Sequence, residues 1–305
     1  MQPLIFALCV VFASSNLFAQ RPGWQPSPGH TQVPIWPGTA PDAQFGPAPN
    51  TEKVPEPGEV ENVSRPTLTV YPPTGNNTGA AVVVFPGGGY YVLAIDIEGT
   101  EVCDWLTAKG ITCVLLKYRV PNSGPQWDER CKCQIKPKAP MALEDAQRTV
   151  GLVRFRAPEY RIDPHKIGVL GFSAGGHLVT DICTHFDKRL YPAVDMADEV
   201  SCRPDFAVTL YPGHLWYKKF ELNPDIPVTR HTPPTFLLQA ENDPVDSVNN
   251  SLVYYIALKN AGVPVEMHLY AEGKHAFGLR RTKFPITRWP QLVETWLRTI
   301  GMISE

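Results

Sequence analysis

Ile167-Gly168-Val169-Leu170-Gly171-Phe172-Ser173-Ala174-Gly175-Gly176-His177 is the stretch that decides the fold. Its first part, Ile167–Leu170, is a short apolar run that reads as a strand, and His177–Cys183 reads as a helix. Between them lies G-x-S-x-G, Gly171 to Gly175, with Gly176 as a second small residue. A strand that turns sharply into a helix leaves no room for side chains next to the turn. A serine held there keeps its hydroxyl exposed at the strand's end. The same turn aims the first helix amides at an oxygen placed above the serine. The bland alternative is an ordinary Gly-rich turn; the strand–turn–helix context favours a nucleophile at Ser173.

Outward from this turn, strands and helices alternate. Thr67–Tyr71, Ala80–Phe85, Ile111–Tyr118, Phe206–Tyr211, Thr235–Gln239 and Val265–Tyr270 read as strands, several of them continuously apolar. Glu98–Lys109, Pro140–Arg156, Ser247–Asn260 and Trp289–Ile300 read as helices. Such alternation predicts an α/β fold, a mostly parallel central sheet with helices on both faces. With no internal repeat and no second boundary, one catalytic domain is expected over 67–305. Residues 20–66 are crowded with proline and are expected to be extended. They are a linker or an arm lying across the domain; Trp24, Ile35 and Trp36 favour docking.

Serine needs a base to take its proton. Of eight histidines, His275 follows the strand Val265–Tyr270, at the carboxyl edge that also carries Ser173. His30, His165 and His268 lie in the arm, in a loop before the serine's strand, and inside a strand. His177 reads as a packed helix residue. The base needs an acid to hold its tautomer. Asp243, just beyond the strand Thr235–Gln239, is the first choice, with Asp246 and Glu241 as alternatives. Phe85-Pro86-Gly87-Gly88-Gly89-Tyr90 ends an early strand, and its glycines let backbone amides approach a substrate closely. Gly88 or Gly89, together with Ala174, are expected to bind the oxyanion of a tetrahedral intermediate. No G-K-[ST] follows, so a phosphate loop is excluded.

Composition adds little. The chain is 43% hydrophobic and 19% charged, with a formal net charge of -2, and this gives no reason to expect nucleic acid as a partner. Met1–Ala19 is apolar and ends in small residues, so it resembles a secretory signal peptide cleaved near Ala19. It lacks an early Lys or Arg, and its apolar run is shorter than the roughly 20 residues of a membrane span. A secreted or periplasmic protein without a membrane anchor is therefore expected. Removing the signal leaves six cysteines. Cys131 and Cys133, in a polar loop, are the preferred bridge candidates, with Cys183 or Cys202 as partners. Cys103 and Cys113, in a helix and a strand, are expected to be buried free thiols. Cys131-x-Cys133 is not a zinc pattern and no His pair completes it, so neither metal nor cofactor is expected.

Several motifs occur together and in order: Ile35-Trp36-Pro37-Gly38, Asn62–Pro66, Phe85–Tyr90, Glu98-Gly99, Lys117-Tyr118-Arg119, Asp145–Arg148, Gly171–His177 and Gly273–Gly278. The combination resembles the bacterial acetyl xylan esterase and feruloyl esterase branch of the α/β hydrolases. The resemblance implies removal of acetyl or similar acyl groups from plant polysaccharide or a small ester. The insert Asp128–Lys138 departs from the pattern and could alter acyl or sugar preference. Asp145 and Arg148 are expected to brace their helix against the serine's turn. A prolyl-oligopeptidase-like serine peptidase shares the fold but usually carries a large extra domain. A non-catalytic binding protein of this fold usually lacks a triad member, whereas this chain offers a full set.

Overall fold

Successive strand residues point to opposite faces of a sheet, so a strand buried at every position must be covered on both sides. The computed structural model describes residues 23–121, 127–128, 133–134 and 139–304. In it, β3 (Ala81–Phe85), β4 (Thr112–Lys117), β5 (Ile167–Phe172), β6 (Phe206–Leu210) and β7 (Thr235–Ala240) are buried throughout. With β1 (Gln32–Pro34), β2 (Thr67–Tyr71) and β8 (Val265–Tyr270) they form one eight-stranded sheet in the order β1-β2-β4-β3-β5-β6-β7-β8. β1 and β2 run antiparallel; the other neighbours, from β4 to β8, are parallel. β8 is the edge strand, and none of its residues is fully buried.

The longer helices are α1 (Glu101–Ala108), α2 (Pro140–Phe155), α3 (Ala174–Thr184), α4 (Asn249–Asn260) and α5 (Trp289–Thr299). A π-turn, Asp96–Thr100, leads into α1. Trp105 of α1 meets Trp289 of α5 edge-on, with ring centroids 5.2 Å apart. Every residue of α2 from Met141 to Val153 is buried. Its polar members are therefore paired, as buried polar groups must be. Asp145 accepts hydrogen bonds from Trp36 Nε1 at 2.8 Å and Arg119 Nε at 2.9 Å. Arg148 Nε donates to Ile35 O at 3.0 Å, and its terminal nitrogens to Asp195. These side chains thus tie α2 to the segment 35–36 and to the Arg119 strand end, where the sequence suggested the serine's turn.

Residues from Gly23 onward belong to this packing. β1 pairs with β2 in register Val33↔Leu68, and Trp24, Ile35 and Trp36 are buried in the core. Indole and isoleucine burial at ~25 cal/mol per Å² supplies the reason a proline-rich chain lies down on the sheet. The signal-like segment 1–19 lies outside the described residues.

The cysteine expectation is overturned. Cys103 and Cys113 form a disulfide, while Cys183 and Cys202 are free and buried. α1 packs on β4, which places the two positions side by side although each reads singly as core. Cys183 lies on the buried side of α3, and Cys202 Sγ faces Phe186 O at 3.4 Å. Neither is therefore a partner for Cys131 or Cys133. The Asp128–Lys138 insert lies largely outside the described residues, apart from a short antiparallel pairing of Trp127–Asp128 with Cys133–Gln134.

Candidate active site

The carboxyl ends of β3, β5, β7 and β8 converge at one edge of the sheet because these strands are parallel. Ser173 stands between β5 and α3 with φ 51° and ψ −120°, a conformation that L-residues rarely hold. Its amide donates to Leu210 O at 3.0 Å, and its carbonyl accepts from His177 N at 2.9 Å. The two flanking glycines are steric necessities. A Cβ on Gly171 would lie 2.2 Å from Gly175 O, and one on Gly175 would lie 2.0 Å from Phe85 O. Such closeness presses the turn against the end of β3 and so brings Gly87, the first glycine of the loop, beside the serine. A Cβ on Gly87 would be 3.0 Å from Ser173 Cβ.

His275 Nε2 lies 3.0 Å from Ser173 Oγ, and His275 Nδ1 lies 2.7 Å from Asp243 Oδ2. Asp243's side chain is fully shielded from solvent, and its Oδ1 accepts from the amides of Val245 at 2.9 Å and Asp246 at 3.0 Å. Those donors hold the carboxylate so that Oδ2 faces the imidazole. The loops carrying His275 and Asp243 are stapled by Asn242, whose Oδ1 accepts from Gly273 N at 2.9 Å and Lys274 N at 3.0 Å. Tyr211 packs its ring against His275, centroids 4.8 Å apart. Glu241 is exposed. Asp246 does not reach Nδ1; its Oδ2 lies 3.4 Å from Ser173 Oγ and 3.8 Å from His275 Nε2.

The expected oxyanion residues lie in the loop after β3 and at the start of α3. Gly88 (φ 125°) and Gly89 (φ 64°) are in the left-handed half of backbone space. Ala174 is the first residue of α3, so its amide has no acceptor within the helix. Gly87 is spoken for: its amide donates to Glu98 Oε2 at 2.8 Å. Glu98 is buried in the π-turn, and its Oε1 accepts from Tyr211 OH at 2.9 Å. Gly278 N in turn donates to the Tyr211 oxygen at 3.3 Å. Glu98 thereby links the glycine loop, the Tyr211 ring behind His275 and the loop after His275. The sequence offered only Glu98-Gly99 as part of a resemblance, because a lone glutamate in an apparent helix has no local mark of burial. In Glu98→Gln one of the two donors, Gly87 N–H or Tyr211 O–H, must face an NH2, so the Tyr211 hydroxyl has to turn into an acceptor or the loop has to shift. A loop misplaced by about 1 Å is expected to lower kcat about a hundredfold, with KM changed little. Steady-state kinetics on a small acetyl ester check this.

Burial pulls the His275 pKa down, but the Asp243 hydrogen bond and the charges of Asp243, Asp246 and Glu98 outweigh it and raise the imidazole above its usual value. Burial also raises Glu98, against the opposing pull of Tyr211, Gly87 and His275. His177, one turn along α3, is buried with Nδ1 2.7 Å from Tyr90 OH, so it packs against the glycine loop's tyrosine. Among the described residues no group of three or more His, Cys, Asp or Glu could hold a metal ion.

The chain is similar to known proteins in sequence and in fold. The BD-FAE family matches residues 68–208. An acetylxylan esterase of Xylanibacter ruminicola is 31% identical over 244 residues, covering 75% of this chain and 48% of that protein. Endo-1,4-beta-xylanase B of Butyrivibrio fibrisolvens is 27% identical over 72% of this chain and 36% of its own length. The chain thus spans less than half the length of these two relatives. An acetyl ester-xyloside bifunctional hydrolase from Caldicellulosiruptor lactoaceticus superposes with a TM-score of 0.69 at 32% identity, over 90% of this chain and 97% of that one. The 32% identity to a structure covered over 97% of its length, the acetylxylan esterase relative and the family match agree: the chain belongs to the bacterial acetyl xylan and feruloyl esterase branch of the α/β hydrolases.

Proposed function

We propose that the chain is a serine carboxylic ester hydrolase that removes acetyl, or feruloyl, groups from xylan through an acyl-enzyme. The observation that supports this best is the hydrogen-bonded line Ser173–His275–Asp243, with spacings of 3.0 and 2.7 Å, at the mouth of a strained serine turn. His275 Nε2 takes the Ser173 proton as Oγ attacks the ester carbonyl. Asp243 keeps the imidazole in the tautomer that can accept this proton and stabilises the imidazolium. Amides of Ala174 and of Gly88 or Gly89 hold the oxyanion. His275 then passes its proton to the departing sugar oxygen, which leaves the acyl group on Ser173. A water that gives its proton to His275 releases the acid and restores the serine. No step calls for a metal or cofactor.

The acetylxylan esterase and xylanase relatives motivate xylan as the polymer. Export is part of the proposal: residues 1–19 resemble a signal peptide, and the Cys103–Cys113 disulfide suits an oxidising compartment. Among the described residues no helix is long and apolar enough to cross a membrane. We place the catalytic unit at 67–305 with 20–66 as its arm, the described part of which, from Gly23 onward, is docked. Acetate release from acetylated xylan, alongside feruloylated oligosaccharide and a prolyl peptide, is the test. Turnover of the esters without peptide cleavage is expected; peptide cleavage, or no ester turnover, would overturn the reading.

A further inference from the structure

Resting on the ester-hydrolase reading, we propose that Asp246 is a fourth member of the hydrogen-bonded chain, accepting a hydrogen bond from the Ser173 hydroxyl whenever His275 is protonated. Its Oδ2 is 3.4 Å from Ser173 Oγ and 3.8 Å from His275 Nε2, so it meets both groups between which the catalytic proton moves. Its place is built. Asp246 N donates to Asp243 Oδ1 at 3.0 Å, and Asp246 O accepts from Gln239 Nε2 at 2.7 Å. The acid that orients His275 therefore also fixes the backbone of Asp246. Across from it, a Cβ on Gly213 would lie 2.6 Å from Asp246 Oδ1, so the segment after β6 leaves room for this carboxylate.

The strand order explains why a negative charge is tolerated here. Ser173 follows β5, the glycine loop follows β3 on one side, and Asp246 follows β7 on the other. Asp246 thus lies across the serine from the amides that would hold the oxyanion. When His275 is neutral, Ser173 Oγ–H donates to Nε2. When solvent protonates Nε2, N–H donates to Oγ, and the hydroxyl hydrogen turns to Asp246 Oδ2. The line Asp243–His275–Ser173–Asp246 is then satisfied at every link, and no bond to carbon changes. This arrangement stabilises the protonated, inactive enzyme. It sets the pH at which activity fails on the acid side.

The groups facing His275 are Asp243 and Asp246 from the loop after β7, Glu98 from the π-turn, and the Tyr211 phenol, which hydrogen-bonds Glu98. Removing one carboxylate at this distance is expected to lower the imidazole pKa by about one unit. Activity requires neutral His275, so the acid limb of kcat/KM should move to lower pH in Asp246→Asn, with its midpoint about one unit down. Asp246→Ser should move it the same way and guards against a folding defect in one variant. Titration of the His275 imidazole by NMR in the full-length wild type and both variants reads the same shift without any substrate. A midpoint that stays put or rises in the NMR titration overturns the role of Asp246. Absence of ester turnover in the wild type, with the NMR shift present, would instead sink the ester-hydrolase reading and leave the hydrogen-bonded chain standing.

Discussion

Ser173→Ala is expected to lower kcat for a small acetyl ester by about a million-fold while leaving the thermal midpoint almost unchanged. In the proposed mechanism the hydroxyl is the group that attacks, and alanine supplies no replacement for it. Asp246 is a second oxygen nucleophile in reach of the same space, 3.4 Å from Ser173 Oγ, but it is a weak one beside an imidazole that accepts protons from hydroxyls. The fold should survive. Alanine needs no more room than serine, and its backbone N–H keeps the hydrogen bond to Leu210 O. The strained backbone at φ 51° is already held by its glycine neighbours and the end of β3. A residual acceleration of roughly a thousandfold over water is expected from the amides of the glycine loop and α3 alone. Measuring kcat with protein free of wild-type contamination checks the magnitude.

Asp243→Asn should lower kcat about ten-thousandfold, again with little loss of stability. The geometry gives a specific reason. Oδ1 accepts two amides, from Val245 and Asp246, so the asparagine oxygen stays with them. The NH2 group is then turned toward His275 Nδ1, which must become an acceptor. Nε2 is left carrying the hydrogen and cannot take the serine proton. Asp246→Asn should leave that tautomer intact, so its loss in kcat should be far smaller. A severe loss at Asp246 with a mild one at Asp243 would exchange the roles of the two acids. Stopped-flow or steady-state assays on both variants decide between these outcomes.

The parts of the site that were legible in the chain are those fixed by local backbone demands. Gly171 to Gly175 announced a turn that only small residues can make, and the Cβ clashes at both glycines are its physical cause. His275 and Asp243 were legible because parallel strands send their following loops to one edge, and both residues directly follow a strand. The illegible parts depend on packing between distant segments. Glu98 reads as a helix residue; its burial comes from β3, Tyr211 and the loop at Gly278 meeting around it. Cys103 and Cys113 each look like core positions, and only the docking of α1 on β4 makes them neighbours. Asp246 stands in the chain only as an alternative to Asp243. Sequence alone could not show that its carboxylate turns toward Nε2 and the serine, on the opposite side of the imidazole from Asp243.

Labelling by an organophosphate tests the central claim most directly. The reagent forms a stable phosphoryl ester with a serine hydroxyl only where a base activates it. Intact mass followed by peptide mapping should show one phosphoryl group per chain on the peptide containing Ser173, with ester turnover lost in proportion to labelling. His275→Ala should resist the same treatment. Labelling at another residue, or full ester turnover in a chain labelled at Ser173, would contradict the assignment of Ser173 as nucleophile.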